Sequence, residues 1–226
     1  MKLFTFKLKN LSILLKSKLL KKKINKKNIK NKNDFINYID QKFFSEKWFL
    51  NNFNIFHHFL PSDSGKEFSY LEIGSFEGLS ALNILYHYKN AKVTAIDLWN
   101  DCNINSEPLK VDFKETEERF DKNLENYSFV KIKKDSVIAL REILRTNLSF
   151  DIIYIDGSHN GEDILSDGIE SYKLLSLGGL IIFDDISNYN KNIYIQAYEG
   201  FQKFCEIHKN KIKIQYLGNI AIVKKV

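Results

Sequence analysis

Residues 150–186 read FDIIYIDGSHNGEDILSDGIESYKLLSLGGLIIFDDI, and this stretch decides the fold. It holds two short apolar runs, 152–155 and 180–183, each ending in carboxylates, with a helix-length mixture of polar and apolar residues between them. Runs that are apolar on both faces and joined by a helix have the pattern of buried parallel strands, so the stretch predicts a βαβ unit. Both strands of such a unit point their carboxyl ends the same way. Asp156 and the pair Asp184 and Asp185 should therefore emerge on one sheet edge, where open α/β sheets bind ligands. His159 follows just past the first of those ends. Three carboxylates and an imidazole converging there are costly to bury unless something cationic joins them. A metal ion is the first candidate.

Outward from this unit the alternation continues. Strands are predicted over 68–73, over 92–96 ending at Asp97, and over 128–132; helices are predicted over 79–88, 113–125 and 136–145, the last capped by Asp135 or Ser136. A helix over 193–208 and strands over 211–216 and 219–224 complete the pattern. Leu217 and Gly218 make a link short enough for a hairpin, so the last strand should run antiparallel to its neighbour. The fold class is α/β, a Rossmann-like three-layer sandwich with a seven-stranded, mostly parallel sheet and an antiparallel last strand. Ahead of this core, taken as 66–226, residues 34–65 form an aromatic helical cap. Its phenylalanines at helical spacing read first as core, although such helices also cap substrate pockets.

The formal charge of +6 divides unevenly. Residues 1–33 carry twelve lysines and no acid, which leaves 22 basic against 28 acidic side chains over the other 193 residues. An acidic body argues against a broad nucleic-acid surface, which needs clustered Lys and Arg on the folded face. Within the tail, Leu3, Phe4, Leu8, Leu11, Leu14, Leu15 and Leu19 share one helical face, with Lys2, Lys9 and Lys16 opposite. A basic amphipathic helix of this kind can lie on an anionic membrane surface or dock on a partner. The plainer expectation is a solvated extension, with 21–33 as a linker, whose removal leaves the core folded. Lys7, Lys9, Lys16 and Lys18 interrupt every candidate leader core, and Cys102 and Cys205 have no metal-like spacing, so a reducing, cytoplasmic setting is expected.

The second concentration of chemistry is the turn Leu71-Glu72-Ile73-Gly74-Ser75-Phe76-Glu77-Gly78, followed by Asp97 after the next strand. Glycine at a strand-to-helix turn lets a ligand approach the backbone, and the acid beyond suits a ribose diol. The spacing is G-x-x-x-G rather than the dinucleotide G-x-G-x-x-G, and Glu72 and Glu77 would repel phosphate but suit a cationic ligand. The turn, Asp97, and Asp135 after the third strand resemble the motifs of class I S-adenosylmethionine-dependent methyltransferases, over residues 68–226. That resemblance implies S-adenosyl-L-methionine as cofactor. Glu72, Gly74, Ser75 and Gly78 would lie around its amino-acid end, Asp97 and Asp156 beside it, and Asp135 with Ser136 at the adenine; Trp99 could stack on the base.

Asp156-Gly157-Ser158-His159, then Gly178-Gly179 and Phe183-Asp184-Asp185, resemble a narrower group, the metal-dependent small-molecule O-methyltransferases of the macrocin and cephalosporin-pathway type. By that likeness Asp156, Asp184 and Asp185 match ligands of Mg²⁺, and His159, with Asp156 beside it, matches the catalytic base. Hard oxygen ligands with open positions suit Mg²⁺, and a coordinated hydroxyl loses its proton more readily to a nearby imidazole. The expected reaction is O-methylation of a vicinal hydroxyl on a small molecule or glycan precursor. A metal-independent, RNA-directed methyltransferase and a non-catalytic cofactor-binding scaffold docking through its tail remain alternatives, and a homo-oligomer is left open. The loops at 100–108 and 187–192 match nothing that would identify the acceptor.

Overall fold

The computed structural model describes residues 10–25, 29–100, 112–186 and 192–226. Leu3, Phe4, Leu8, Lys2, Lys7, Lys9, Cys102 and all but the end residues of the two acceptor loops, Asn100 and Asn192, lie outside the described residues. Helices α1 (Leu11–Ile24) and α2 (Ile29–Ile39), a 3-10 turn (Trp48–Asn51) and α3 (Phe53–Phe59) precede the sheet. The core then runs β1 (Phe68–Ile73), α4 (Leu79–His87), β2 (Ala91–Asp97), α5 (Phe113–Leu124), β3 (Val130–Lys133), α6 (Ser136–Leu144) and β4 (Phe150–Ile155). It closes with α7 (Gly161–Leu174), β5 (Leu175–Phe183), α8 (Asn192–Ile207), β6 (Ile212–Leu217) and β7 (Ala221–Lys225).

The sheet has seven strands in the order β3-β2-β1-β4-β5-β7-β6. The first five are parallel, and β7 is antiparallel to both β5 and β6. Strand β5 begins five residues before the predicted run, directly from α7, and its pairing with β4 shifts register between Phe150 and Ile152. Register decides where the chemistry goes. Ile73 is level with Ile96 and Ile155, and Ile155 with Phe183, so Gly74, Asp97, Asp156 and Asp184 leave the sheet side by side at its carboxyl edge.

The cap and the sheet share one core. Phe35, Ile39, Phe53 and Phe56 are fully buried with Tyr70, Tyr154 and Ile182 from the strands, so the phenylalanine stripe is packing, as its spacing suggested. The lysine-rich segment differs from the expected solvated tail and linker. Residues 11–24 form α1, which lies against β6: Ser17 is buried and its Oγ accepts a 3.0 Å bond from the Leu217 backbone N–H, while Ile24 enters the core. Residues 29–33, read as the end of that linker, are the first residues of α2, which runs on into the expected helical cap. The leucine face also splits, since Leu14 packs inward while Leu11, Leu15 and Leu19 are exposed. Among the described residues no helix is long and apolar enough to cross a membrane.

Candidate active site

The carboxyl edge of the sheet opens into a cavity of about 720 Å³, a size that suits a cofactor with a small co-substrate. Gly74, Asp97, Asp135, Ser136, Asp156, His159, Asp184 and Asp185 all line it. Glu72, Ser75 and Gly78 stand behind its wall instead. Glu72 is fully buried and accepts a 2.7 Å bond from Tyr70 Oη; burial lifts its carboxyl to about 7 against the pull of the Tyr70, Ser80 and Ser75 hydroxyls. Gly78, at φ +83°, caps α4 so closely against α5 that a Cβ would meet Leu124 at 2.5 Å. Glu77 does not face a ligand: it binds the Ser45 backbone N–H and Arg119 Nη1 at 2.6 and 2.7 Å, fastening the cap to the turn. Trp99 likewise is a packing residue, buried against Phe120 with Nε1 donating to the Phe76 carbonyl at 2.8 Å.

The turn itself is strained where it meets the cavity. Gly74 has φ +82° and would drive a Cβ to 2.2 Å from the Asp156 carbonyl oxygen, and Phe76 holds φ +48° without being glycine, a conformation paid for by its surroundings. Asp97 fixes that loop. Its Oδ2 accepts from the Phe76 N–H and its Oδ1 from the Trp99 N–H, both at 2.8 Å. Burial raises the Asp97 carboxyl, with those backbone donors opposing. Asp135 caps α6 by accepting from the Ile138 N–H at 3.0 Å, and Ser136 Oγ donates to Asp167 Oδ1 at 2.6 Å.

At the other end three carboxyls crowd together. Tyr154 Oη contacts Asp156 Oδ2 at 3.0 Å and, closer still, Asp184 Oδ2; its single proton cannot serve both. Asn52 Nδ2 and the Asp185 N–H donate to Asp184 Oδ1 at 2.9 and 2.7 Å. Burial, followed by repulsion from Asp184 and Asp185, lifts Asp156 well above the usual carboxylate range, and burial with repulsion from Asp185 lifts Asp184 to about 6. Asp185, at φ +48°, is the exception: burial pushes it up, but His159 Nε2 at 3.5 Å and Asn219 Nδ2 at 3.0 Å outweigh that and leave it below its ordinary value.

Among the described residues no group of three or more His, Cys, Asp or Glu side chains is spaced to hold a metal ion. The donors nonetheless fit a hard divalent cation chemically, because the buried Asp184 and half-buried Asp156 share one tyrosine proton, with no ammonium or guanidinium bonded to either among the described residues. Among the described residues the wall has the same bias: seven aspartates, counting Asp163 and Asp167, face one lysine, Lys134. Such a cavity suits a cationic ligand and repels phosphate.

Sequence reasoning did not single out Asn52, Asn219, Asp163 or Asp167, and it read Trp48 only as one of the cap's aromatics; all five line the cavity. Trp48 and Asn52 come from the cap, Asn219 from the β6–β7 hairpin, and Asp163 and Asp167 from the first turns of α7. A helical pattern with Ile164 inward could have placed Asp167 with Asp163 one turn apart, since residues at i and i+4 share a face.

A methyltransferase-domain family model matches residues 71–186, just over half of the chain. The chain is 25% identical over 162 residues, 68% of its length and 69% of the relative's, to an uncharacterized protein of Acanthamoeba polyphaga mimivirus. Among solved structures, the MycE methyltransferase of mycinamycin biosynthesis, in complex with Mg, S-adenosylhomocysteine and mycinamycin VI, superposes with TM-score 0.54 at 18% identity, over 82% of this chain. The chain spans 51% of MycE. The O-methyltransferase TomG of Streptomyces achromogenes superposes with TM-score 0.51 at 15% identity, over 70% of this chain and 73% of TomG. At such identities the likeness is one of fold. With the family match across the two motif-bearing strands β1 and β4 and the carboxyl edge they share, it places the chain in the methyltransferase 24 family of class I S-adenosylmethionine-dependent methyltransferases.

Proposed function

We propose that the chain methylates an oxygen of a small molecule or glycan precursor bearing neighbouring hydroxyls, with Mg²⁺ held at Asp156, Asp184 and Asp185. The observation that carries this reading is the line from Asn219 through Asp185 to His159 on the cavity wall, beside the two raised carboxyls. A base oriented by a fixed carboxylate is what proton removal from a hydroxyl requires. When bound, S-adenosylmethionine supplies an electrophilic methyl group and Mg²⁺ makes the acceptor hydroxyl more acidic.

The residues divide the remaining work. His159, with Nε2 turned to Asp185, would take the acceptor proton on its imidazole, and Asp185 stabilises the resulting imidazolium. Gly74 lets the cofactor approach the backbone, Asp97 accepts from its ribose, and Asp135 and Ser136 sit at its base. Trp48, 48% exposed, stacks on Phe76 with ring centroids 5.6 Å apart and leaves its other face as a flat apolar wall, which suits the carbon face of a sugar or ring.

His159→Ala should lower kcat at least ~100-fold, the scale of a lost general base, and leave the cofactor Kd unchanged; a matching loss of cofactor binding would make the residue structural. EDTA should stop turnover and Mg²⁺ restore it. A metal-independent reading is favoured by one observation, that Asp184 is already bonded to Asn52, Tyr154 and the Asp185 N–H. EDTA-insensitive turnover would select it.

A further inference from the structure

Helix α1 has two faces, and the fold uses one. Ile13, Leu14, Ser17, Leu20 and Ile24 follow each other at spacings of one, three and four along the side that packs on the protein. On the other side Leu11, Leu15 and Leu19 are 50%, 55% and 68% exposed. Spaced four apart, they form one continuous apolar stripe on the exterior. Helical geometry sets Lys18 and Lys22 along one border of the stripe, Lys16 along the other and Lys23 one turn beyond Leu19 at its end, and all four are exposed. The helix contains no acid.

A leucine stripe alone would suit several occupants; the lysines on both borders narrow the choice. We propose that α1 docks the protein on an anionic lipid surface, its three leucines entering the boundary between headgroups and acyl chains and its four lysines reaching anionic headgroups on either side. Lysine stems can lie along the apolar zone while their ammonium groups stay in water, so the arrangement loses no hydration. A nucleic acid fits the surface less well, because phosphates would engage the lysines and leave the leucines in water, and the rest of the chain is acidic. The helix is held before it meets a membrane. Ser17 Oγ is bonded to the Leu217 N–H at the end of β6, so binding does not have to fold the helix first. Through the hairpin the same segment continues to Asn219, which holds Asp185. The docking face is thereby fixed to the edge of the sheet that carries the active site.

The full chain, floated with vesicles, tests this. Phosphatidylcholine vesicles containing one third phosphatidylglycerol should retain it at least ~10-fold better than phosphatidylcholine alone, and added salt should release it. Substituting Leu11→Ser, Leu15→Ser and Leu19→Ser together should weaken retention by about 10-fold with no change in melting temperature, because no inward residue is touched. Lys16→Gln, Lys18→Gln, Lys22→Gln and Lys23→Gln together should weaken it by about 100-fold; this variant keeps every leucine and carries the test if the serine variant unfolds. No preference for anionic vesicles, full retention of the serine variant, or release of the vesicle-bound chain by a single-stranded RNA oligonucleotide that binds equally well without the leucines would each overturn the proposal.

Discussion

Gly74 is the residue on which the cavity turns. At φ +82° and with the Asp156 carbonyl where a Cβ would go, it allows β1 and β4 to release their ends side by side. Gly74→Ala should therefore cost more than about 3 kcal/mol, the sum of left-handed strain and a backbone clash; urea denaturation measures it, and an unchanged midpoint would contradict the packing described. Glu72, immediately below, yields a pH prediction. Its carboxyl is raised from 4.5 to about 7 by burial, so the folded chain holds a proton there that the unfolded chain gives up. The stability this confers is full below about pH 4.5 and is lost as pH rises through 7. Glu72→Gln in the cofactor-free protein should be the more stable at pH 8, by up to about 3 kcal/mol, and should flatten the profile between these limits; parallel profiles for the two proteins would refute the burial argument. That Asp97, Asp156, Asp184 and Asp185 lie together at the cavity was legible in the sequence because strand ends announce themselves. Glu72 and Glu77 were misjudged as ligand-facing because spacing alone does not say which way a turn side chain points, and Tyr70 and Arg119 take them inward.

At the scale of elements, the central strands were the easiest to read. Residues 152–155 and 180–183 are apolar on both faces, and only burial between two helical layers explains that pattern. Helix α1 was not readable in the same way. Its lysines outnumber its buried side chains, and the surface it covers, β6 with Leu217, lies two hundred residues away in the chain. The inward residues could be recognised only once β6 was in place. Removing residues 1–25 takes Ile24 out of the core and leaves the Leu217 N–H without its partner, so the unfolding free energy should fall by about 2–4 kcal/mol. Thermal melting of the truncated chain checks this, and an unshifted transition would return α1 to the status of a loose extension.

Over the whole molecule, charge is divided by position. Residues 1–33 carry twelve lysines and no acid, and aspartates gather around the cavity: among the described residues, Asp97, Asp135, Asp156, Asp163, Asp167, Asp184 and Asp185 against Lys134. Composition showed the division but not its purpose, because the aspartates come from five separate segments that only the strand order brings together. Burial also lifts Asp167 to about 7, with Ser136 opposing and Asp163 and Asp135 adding repulsion, so the cavity is poised to gain from a positive ligand. That is the central claim, and calorimetric titration of the purified chain with S-adenosylmethionine and S-adenosylhomocysteine, each in Mg²⁺ and in EDTA, tests it most directly. Micromolar binding of S-adenosylmethionine, weakened at least ~10-fold by Asp97→Asn through loss of a charged acceptor, is the expected result. No heat with either ligand under any condition would contradict it.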